Sequence, residues 1–374
     1  MRVVFACAGT GGHINPAIAI ANMIKEREEN SEFLFIGTQQ GLENKLVKQS
    51  GYIITHIRTG KIIRSLTLKN IKEMFNAYRG ISDAKKVLKN FKPDLVIGTG
   101  GYICVPVMLA CTSLKIPYLL HESNSYPGIS VKLLSKKAFA VMVGFEDTKD
   151  RIKHKEKVVF TGTPAKFKEN SFHKLDKINC LKELSLSNIN KKIVLVTCGS
   201  QGAKKINETL LEMVKNYQDE DIYYILVTGD KNYEEVMLKK KEIESTLNKS
   251  LDDYIKIERF IYEMDKMYKV ADLCVTRAGA MTVTELAISK KKAILIPLPT
   301  AAENHQYYNA KILENAGSGK IIEQKDLDFK VLHDTIKDVI TSNDTRYVDT
   351  VSKVIIDDVD DRIYKCIINA IKSR

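Results

Sequence analysis

The chain opens with Arg2-Val3-Val4-Phe5-Ala6-Cys7-Ala8-Gly9-Thr10-Gly11-Gly12-His13. A short apolar, β-branched-rich run passes directly into a glycine turn, and after Pro16 a helical pattern runs over 16–29. This is the strand–turn–helix signature of an α/β protein. Glycines at such a turn let the backbone approach something closely, beside the free N–H groups of a helix N-terminus. A dinucleotide fingerprint would need a third glycine at position 14, which is Ile14, and a phosphate loop ending Gly-Lys-Ser/Thr is absent. His13 lies where the positive helix end opposes protonation. A neutral imidazole able to accept a proton is expected there, with a capping role as the alternative.

The same alternation continues outward. Strand-like runs occupy 32–37, 52–58, 94–98, 117–121, 138–143 and 157–161, and helical patterns fill 41–50, 68–90, 103–113 and 128–136. The rhythm pauses over the polar stretch 162–190, near Gly162 and Pro164. A second series then begins, with strand-like runs at 192–198, 222–228, 254–260, 272–276, 293–297 and 319–322. Its helical patterns lie at 203–217, 232–247, 280–289 and 303–316, and two more, 329–341 and 347–373, end the chain. Apolar strands of this kind predict parallel sheets buried on both faces. The expected fold is α/β: two Rossmann-like doubly wound units, with ligands beyond the carboxyl ends of the strands and an active site in a cleft between the units.

Three further strand ends carry glycine turns: Gly98-Thr99-Gly100-Gly101-Tyr102, Gly199-Ser200-Gln201-Gly202-Ala203, and Arg277-Ala278-Gly279-Ala280-Met281-Thr282-Val283-Thr284-Glu285. One such turn means little. Four at strand ends, spread over both units, point to a phosphate-bearing ligand. His121-Glu122-Ser123-Asn124 and Glu303-Asn304-His305-Gln306 follow other strands and offer side chains suited to sugar hydroxyls, or to helix capping.

The net charge is +12, and residues 1–165, with 24 Lys and Arg against 13 Asp and Glu, carry +11 of it. Such asymmetry fits a nucleic acid, an anionic membrane surface or an anionic substrate, or solubility alone. The seven cysteines form no C-x-x-C pair and mostly lie in apolar runs, which fits buried thiols. No run approaches the roughly 20 apolar residues of a membrane helix, so membrane contact is expected to be peripheral.

Taken in order, Gly9-Thr10-Gly11-Gly12-His13, Gly98-Thr99-Gly100-Gly101-Tyr102, His121-Glu122-Ser123-Asn124, Gly199-Ser200-Gln201-Gly202-Ala203 and Arg277–Glu285 resemble the peptidoglycan N-acetylglucosaminyltransferases of glycosyltransferase family 28, over about residues 1–322. That resemblance implies the two-domain GT-B architecture. It implies inverting transfer of N-acetylglucosamine from UDP-N-acetylglucosamine to the C4 hydroxyl of lipid I, giving lipid II. It carries Thr10, Gly11, Gly12 and Asn124 over as contacts to the sugar, and Ser200 as a contact to the nucleotide sugar. Ile261 takes the place of the residue whose backbone pairs with uracil. Ala280, Met281, Thr282, Val283 and Thr284 correspond to the turn that cradles the pyrophosphate, and Glu285 to the carboxylate on the ribose. Gln306, with His305 beside it, corresponds to the reader of the sugar hydroxyls, and His13 is the candidate general base.

Some positions depart from the family pattern. Cys198 stands where a glycine is usual, Ser123 replaces a glutamine, and Lys166 replaces an arginine, losing its planar fork. The domains are expected at 1–163 (acceptor and membrane side), 164–350 (UDP-sugar side) and 351–374, a helix returning to the first domain. No metal or other cofactor is implied. Asp326, Asp328 and the acidic run 357–361 read as caps and solvated faces. The implied partners are UDP-N-acetylglucosamine, lipid I, the anionic cytoplasmic face of the cell membrane, and cell-wall or division proteins, with no nucleic acid. Lys61, Ile62, Ile63, Arg64, Leu66 and Lys69 form the candidate membrane patch. The rival readings are a diacylglycerol glucosyltransferase of the same fold, a UDP-sugar epimerase and, less compatible with the loops, a nicotinamide oxidoreductase.

Overall fold

The computed structural model describes residues 1–60, 68–165, 167–186, 189–199, 202–342, 356 and 358–373, the side chains of 68–77 excepted. The chain divides into two compact units, Met1–Lys166 with Ile356–Arg374, and Phe167–Ile355.

The first unit is built on β1 (Arg2–Cys7), β2 (Glu32–Gly37), β3 (Ile54–His56), β4 (Leu95–Gly100), β5 (Tyr118–Glu122), β6 (Ala140–Val143) and β7 (Val158–Phe160). They pair in the order β3-β2-β1-β4-β5-β6-β7, all parallel. The strands alternate sides as a pleated ribbon must. Val3, Phe5 and Cys7 pack with Ile14, Ala17, Ile20 and Ile24 of helix Gly11–Arg27. Val4, Ala6 and Ala8 pack on the other face with Cys104, Val107, Met108 and Cys111 of helix Cys104–Leu114. The last helix, Val359–Lys372, places Ile363, Cys366, Ile367 and Ala370 on the Val3–Phe5 side of the sheet. Their three- and four-residue spacing is that of one helix face.

The second unit holds β8 (Lys192–Thr197), β9 (Ile222–Val227), β10 (Ile255–Glu258), β11 (Leu273–Thr276), β12 (Ala293–Leu295) and β13 (Gly319–Ile321). Their order is β10-β9-β8-β11-β12-β13, again all parallel.

In each unit the strand order reverses beside the first strand, between β1 and β4 and between β8 and β11. Connections leave in opposite directions at such a point and open a crevice at the carboxyl ends. All four glycine turns follow these four strands, so each unit carries two of them at its reversal point.

The start of the first helix differs from the sequence expectation. The first helix begins at Gly11, not at Pro16, which lies inside it. Pro16 forgoes one helical hydrogen bond, and His13 falls within the first turn. Of the pattern over 347–373, the described helical part is Val359–Lys372. All seven cysteines are unpaired and buried. Among the described residues, no helix is long and apolar enough to cross a membrane.

Candidate functional site

In the first unit the two glycine turns are interlocked around His13. The imidazole Nδ1 lies 3.0 Å from the Ala8 carbonyl oxygen. A carbonyl only accepts, so Nδ1 is the donor and, in the neutral ring, Nε2 carries the lone pair. The β1–β4 register shifts between Ala6 and Cys7, whose partners are Gly98 and Gly100. That leaves Thr99 as the extra residue, and its hydroxyl donates to the His13 carbonyl at 2.7 Å. A bulge of this kind re-aims a side chain beside a site. Gly100 then lies close against the ring: a Cβ there would come 2.4 Å from His13 Cδ2.

Thr10 is the N-cap of this helix but makes no side-chain capping bond, and Thr10 and Gly12 are exposed. Thr10, Gly11, Gly12 and His13 are therefore brought together on one turn. Asn124 is half-buried, in the loop after β5. Its backbone and side-chain N–H groups both donate to Glu122 Oε1 at 3.0 Å, while Glu122 Oε2 accepts from the Gly128 N–H at 2.8 Å.

Of the two roles expected here, sugar contact and helix capping, Glu122 takes the second, holding the Gly128 N–H ahead of helix Ile129–Leu134. Both His121 and Glu122 are buried. His121 donates from Nε2 to the Gly162 carbonyl at 3.3 Å, and burial pulls its pKa down to about 4.

In the second unit, helix Ala280–Ile288 starts directly after Gly279. Its first N–H groups lack intrahelical partners, and Gly279 offers no side chain to cap them. Ala280 and Val283 are buried in the core, and the Thr284 hydroxyl bonds back to the Ala280 carbonyl at 3.0 Å. Ala280 can therefore address an anion only through its backbone N–H, the Val283 N–H being already spent on the Gly279 carbonyl at 2.9 Å, whereas Met281 and Thr282 are half-exposed. Arg277 ties the turn to its neighbours, donating to the Ile296 and Pro297 carbonyls at 3.1 and 3.2 Å and to Gln324 Oε1 at 2.6 Å. Glu285 is buried and accepts from the Tyr268 hydroxyl at 3.2 Å.

Gln306 belongs to helix His305–Asn315, and its amide oxygen accepts from the Leu298 N–H at 2.9 Å. The amide NH2 is thereby the end available to a ligand acceptor. The two residues before this helix, Glu303 and Asn304, both have a φ of 53°. Consecutive left-handed, non-glycine residues cost roughly 1–2 kcal/mol each and are typical of functional loops. Ile261 lines a cavity of about 260 Å³ with Lys256, Glu258, Phe260, Tyr262 and Met267, at the carboxyl end of β10. Ser200 lies outside the described residues, as do Lys166 and the stretch 61–67. Asp328 caps helix Phe329–Thr341 through the Val331 N–H, and among the described residues no cluster of side chains suits a metal ion.

Sequence reading missed Glu43, the first residue of helix Glu43–Gln49 and fully buried. It accepts hydrogen bonds from Thr38 and from the Gly9 N–H of the first glycine turn. It missed Asn309 as well, which donates to the Ala278 carbonyl at 3.1 Å. A glutamate at a helix start and an asparagine within a helix carry no sequence mark that separates them from surface residues.

Residues 3–143 match the glycosyltransferase family 28 N-terminal domain and residues 193–358 its C-terminal domain. A relative from Caldanaerobacter subterraneus subsp. tengcongensis is 41% identical over 90% of both chains. It is named UDP-N-acetylglucosamine–N-acetylmuramyl-(pentapeptide) pyrophosphoryl-undecaprenol N-acetylglucosamine transferase. The crystal structure of MurG from Acinetobacter baumannii superposes with a TM-score of 0.74 at 26% identity, covering 100% of this chain and 99% of that one. The UDP-GlcNAc 2-epimerase of Neisseria meningitidis superposes at 0.62 with 15% identity, covering 99% of this chain and 100% of that one, which shows a common fold alone. The chain belongs to glycosyltransferase family 28.

Proposed function

We propose that this chain transfers N-acetylglucosamine from UDP-N-acetylglucosamine to the C4 hydroxyl of the muramyl sugar of lipid I, with inversion, to form lipid II. The observation that carries this reading is the 41% identity, over 90% of both chains, to a relative named for that transfer. His13 Nε2 takes the proton of the acceptor hydroxyl as its oxygen attacks the anomeric carbon. The bond from that carbon to the β-phosphate oxygen breaks, and UDP leaves with the electron pair. Backbone N–H groups at Ala280, Met281 and Thr282 oppose the charge that grows on the pyrophosphate, a role preorganised dipoles fill without a metal. Glu285 holds the ribose, the backbone at Ile261 the uracil, Ser200 the nucleotide sugar and Gln306 the sugar hydroxyls. Thr10, Gly11, Gly12 and Asn124 complete the sugar site.

The enzyme works as a peripheral protein on the cytoplasmic face of the membrane, held by the basic and apolar residues between Lys61 and Lys69. The exposed Ile129, Leu133 and Phe139, interleaved with exposed Lys136 and Lys137, support a second contact of the same character. Purified protein is to be offered UDP-N-acetylglucosamine with lipid I, and UDP-glucose with diacylglycerol. Turnover with the first pair, lost in His13→Ala while UDP still binds, is the expected result. Turnover with the second pair alone would reassign the enzyme to another lipid, and full turnover by His13→Ala would remove it as the base.

A further inference from the structure

A single peptide group joins the buried carboxylate of Glu43 to the imidazole of His13. Its N–H, that of Gly9, donates to Glu43 Oε2 at 3.3 Å. Its C=O, that of Ala8, accepts from His13 Nδ1 at 3.0 Å. Glu43 Oε1 is held by the Thr38 N–H at 2.8 Å and the Thr38 hydroxyl at 2.6 Å. The pocket is built for that carboxylate: a Cβ on Gly41 would lie 2.1 Å from both of its oxygens. Burial opposes the charge on Glu43, but the hydrogen bonds from Thr38 and Gly9 outweigh it and hold the carboxyl below its ordinary range.

We propose that Glu43 is a positioning residue for the transfer, acting on His13 through the Ala8–Gly9 peptide. A carboxylate on the N–H side draws the peptide's electron density toward its carbonyl oxygen. The oxygen becomes a stronger acceptor for the His13 Nδ1–H, as hydrogen-bonded groups polarise one another. This fixes the tautomer, aims Nε2 outward, and stabilises the imidazolium that forms when Nε2 takes a proton. A carboxylate bonded directly to a catalytic histidine does the same for other enzymes. Here one amide stands between the two groups.

The other titratable groups around the turn do not supply this charge. Cys7 on β1 and Cys104 at the start of its helix are thiols that burial keeps protonated. Cys104 spends its hydrogen on the Ala6 and Gly100 carbonyls. Glu122 is engaged with Asn124 and Gly128 in the loop after β5, and Tyr102, the last residue of the second glycine turn, is exposed.

The proposal rests on His13 as the base, and its test reads the ring directly, so the two can fail separately. Histidine-labelled wild type, Glu43→Gln and Thr38→Val are titrated by NMR, the His13 signals being assigned by their loss in His13→Ala. In wild type the neutral ring is expected to be the Nδ1–H tautomer; an Nε2–H tautomer overturns the proposal without any variant. Glu43→Gln removes the charge held one peptide away and should move the His13 NMR titration to lower pH. Turnover should fall on the order of tenfold, with the acidic limb of its pH profile moved down and UDP affinity intact. Thr38→Val loosens the carboxylate but keeps its charge, and should leave the His13 titration in place. Equal shifts in both variants, or none in Glu43→Gln, would reduce Glu43 to a structural brace. Full turnover by His13→Ala would instead sink the base assignment, whatever the titration gave.

Discussion

Replacing Gly100 by alanine tests whether catalysis depends on where the His13 ring stands. Gly100 has a φ of +124°, and an added Cβ would lie 2.4, 2.8 and 2.9 Å from Cδ2, Cγ and Nε2 of that ring. Ordinary contact begins near 3.4 Å, so the imidazole must retreat by about 1 Å. The ring is tethered through Nδ1 to the Ala8 carbonyl, so that retreat tilts Nε2 out of the position in which the proposed mechanism uses it. A misplacement of about 1 Å is worth on the order of a hundredfold in rate. The backbone strain adds about 1–3 kcal/mol, which lowers the melting temperature by several degrees in a unit of this size. The assay is turnover at saturating substrates, with calorimetric UDP affinity and thermal melting alongside. Gly51→Ala is the control, because Gly51 has a φ of +79° but nothing within 4 Å of its added Cβ, so it bears strain without a clash. We expect both variants to melt earlier and only Gly100→Ala to lose turnover. Near-normal turnover by Gly100→Ala, or an equal loss in Gly51→Ala, would refute the reasoning.

Gly12→Ala should behave oppositely: Gly12 lies in a helix, and its added Cβ would meet Thr10 Oγ1 at an ordinary 3.6 Å. Stability should rise by about 0.5–1 kcal/mol while activity falls, and full activity would mean that no ligand approaches there. Glu285→Ala should weaken UDP about 10- to 100-fold in calorimetry and, by orphaning the buried Tyr268 hydroxyl, cost about 1–3 kcal/mol in denaturant melts; undiminished UDP affinity would reject the ribose role. Stability should also fall in acid because of His121, whose folded pKa is depressed by burial from 6.5 to about 4. The unfolded chain then binds the proton first, so this stability is complete above about pH 6.5 and drains away toward pH 4, by about 3 kcal/mol in all. Urea midpoints measured at pH 7 and pH 4.5 check it, and a flat response would contradict the burial.

The strands were legible because parallel strands buried on both faces read as apolar runs between turns, and little else competes for that pattern. The four glycine turns were legible as turns, and their arrangement in pairs at reversal points follows from strand order, which local patterning does not carry. Proline is a natural helix opener, so the pattern points to a start at Pro16; the two glycines ahead of it conceal a turn that is already helical. Glu43 was invisible for a different reason. A carboxylate beginning a helix is ordinary on a surface, and its burial depends on a contact with Gly9, 34 residues earlier in the chain. His121 and Glu122 are the opposite case: polar residues at a strand end look as available to a ligand as to a helix cap, until burial and hydrogen bonds occupy them.

The glycines themselves divide by what fills the space beside them. At Gly100 that space is taken by the His13 ring, and at Gly101 an added Cβ would strike the Ala8 carbonyl at 2.5 Å. Those two are required by the protein's own packing, and their presence says nothing about a ligand. Gly11, Gly12 and Gly279 are different. None has a positive φ, and an added Cβ would meet only ordinary contacts at 3.5, 3.6 and 3.8 Å. Neither backbone conformation nor crowding explains them. They stand at the starts of two helices, one capped by Thr10 without a side-chain bond and the other by Gly279 itself, where the first amide N–H groups still seek an acceptor. Space kept open in front of unspent donors is what an anionic or hydroxyl-rich ligand requires. Among the glycine turns, then, the physical support for a sugar nucleotide comes from these three glycines, one pair in the first unit and one in the second, rather than from the glycine content of the turns as a whole.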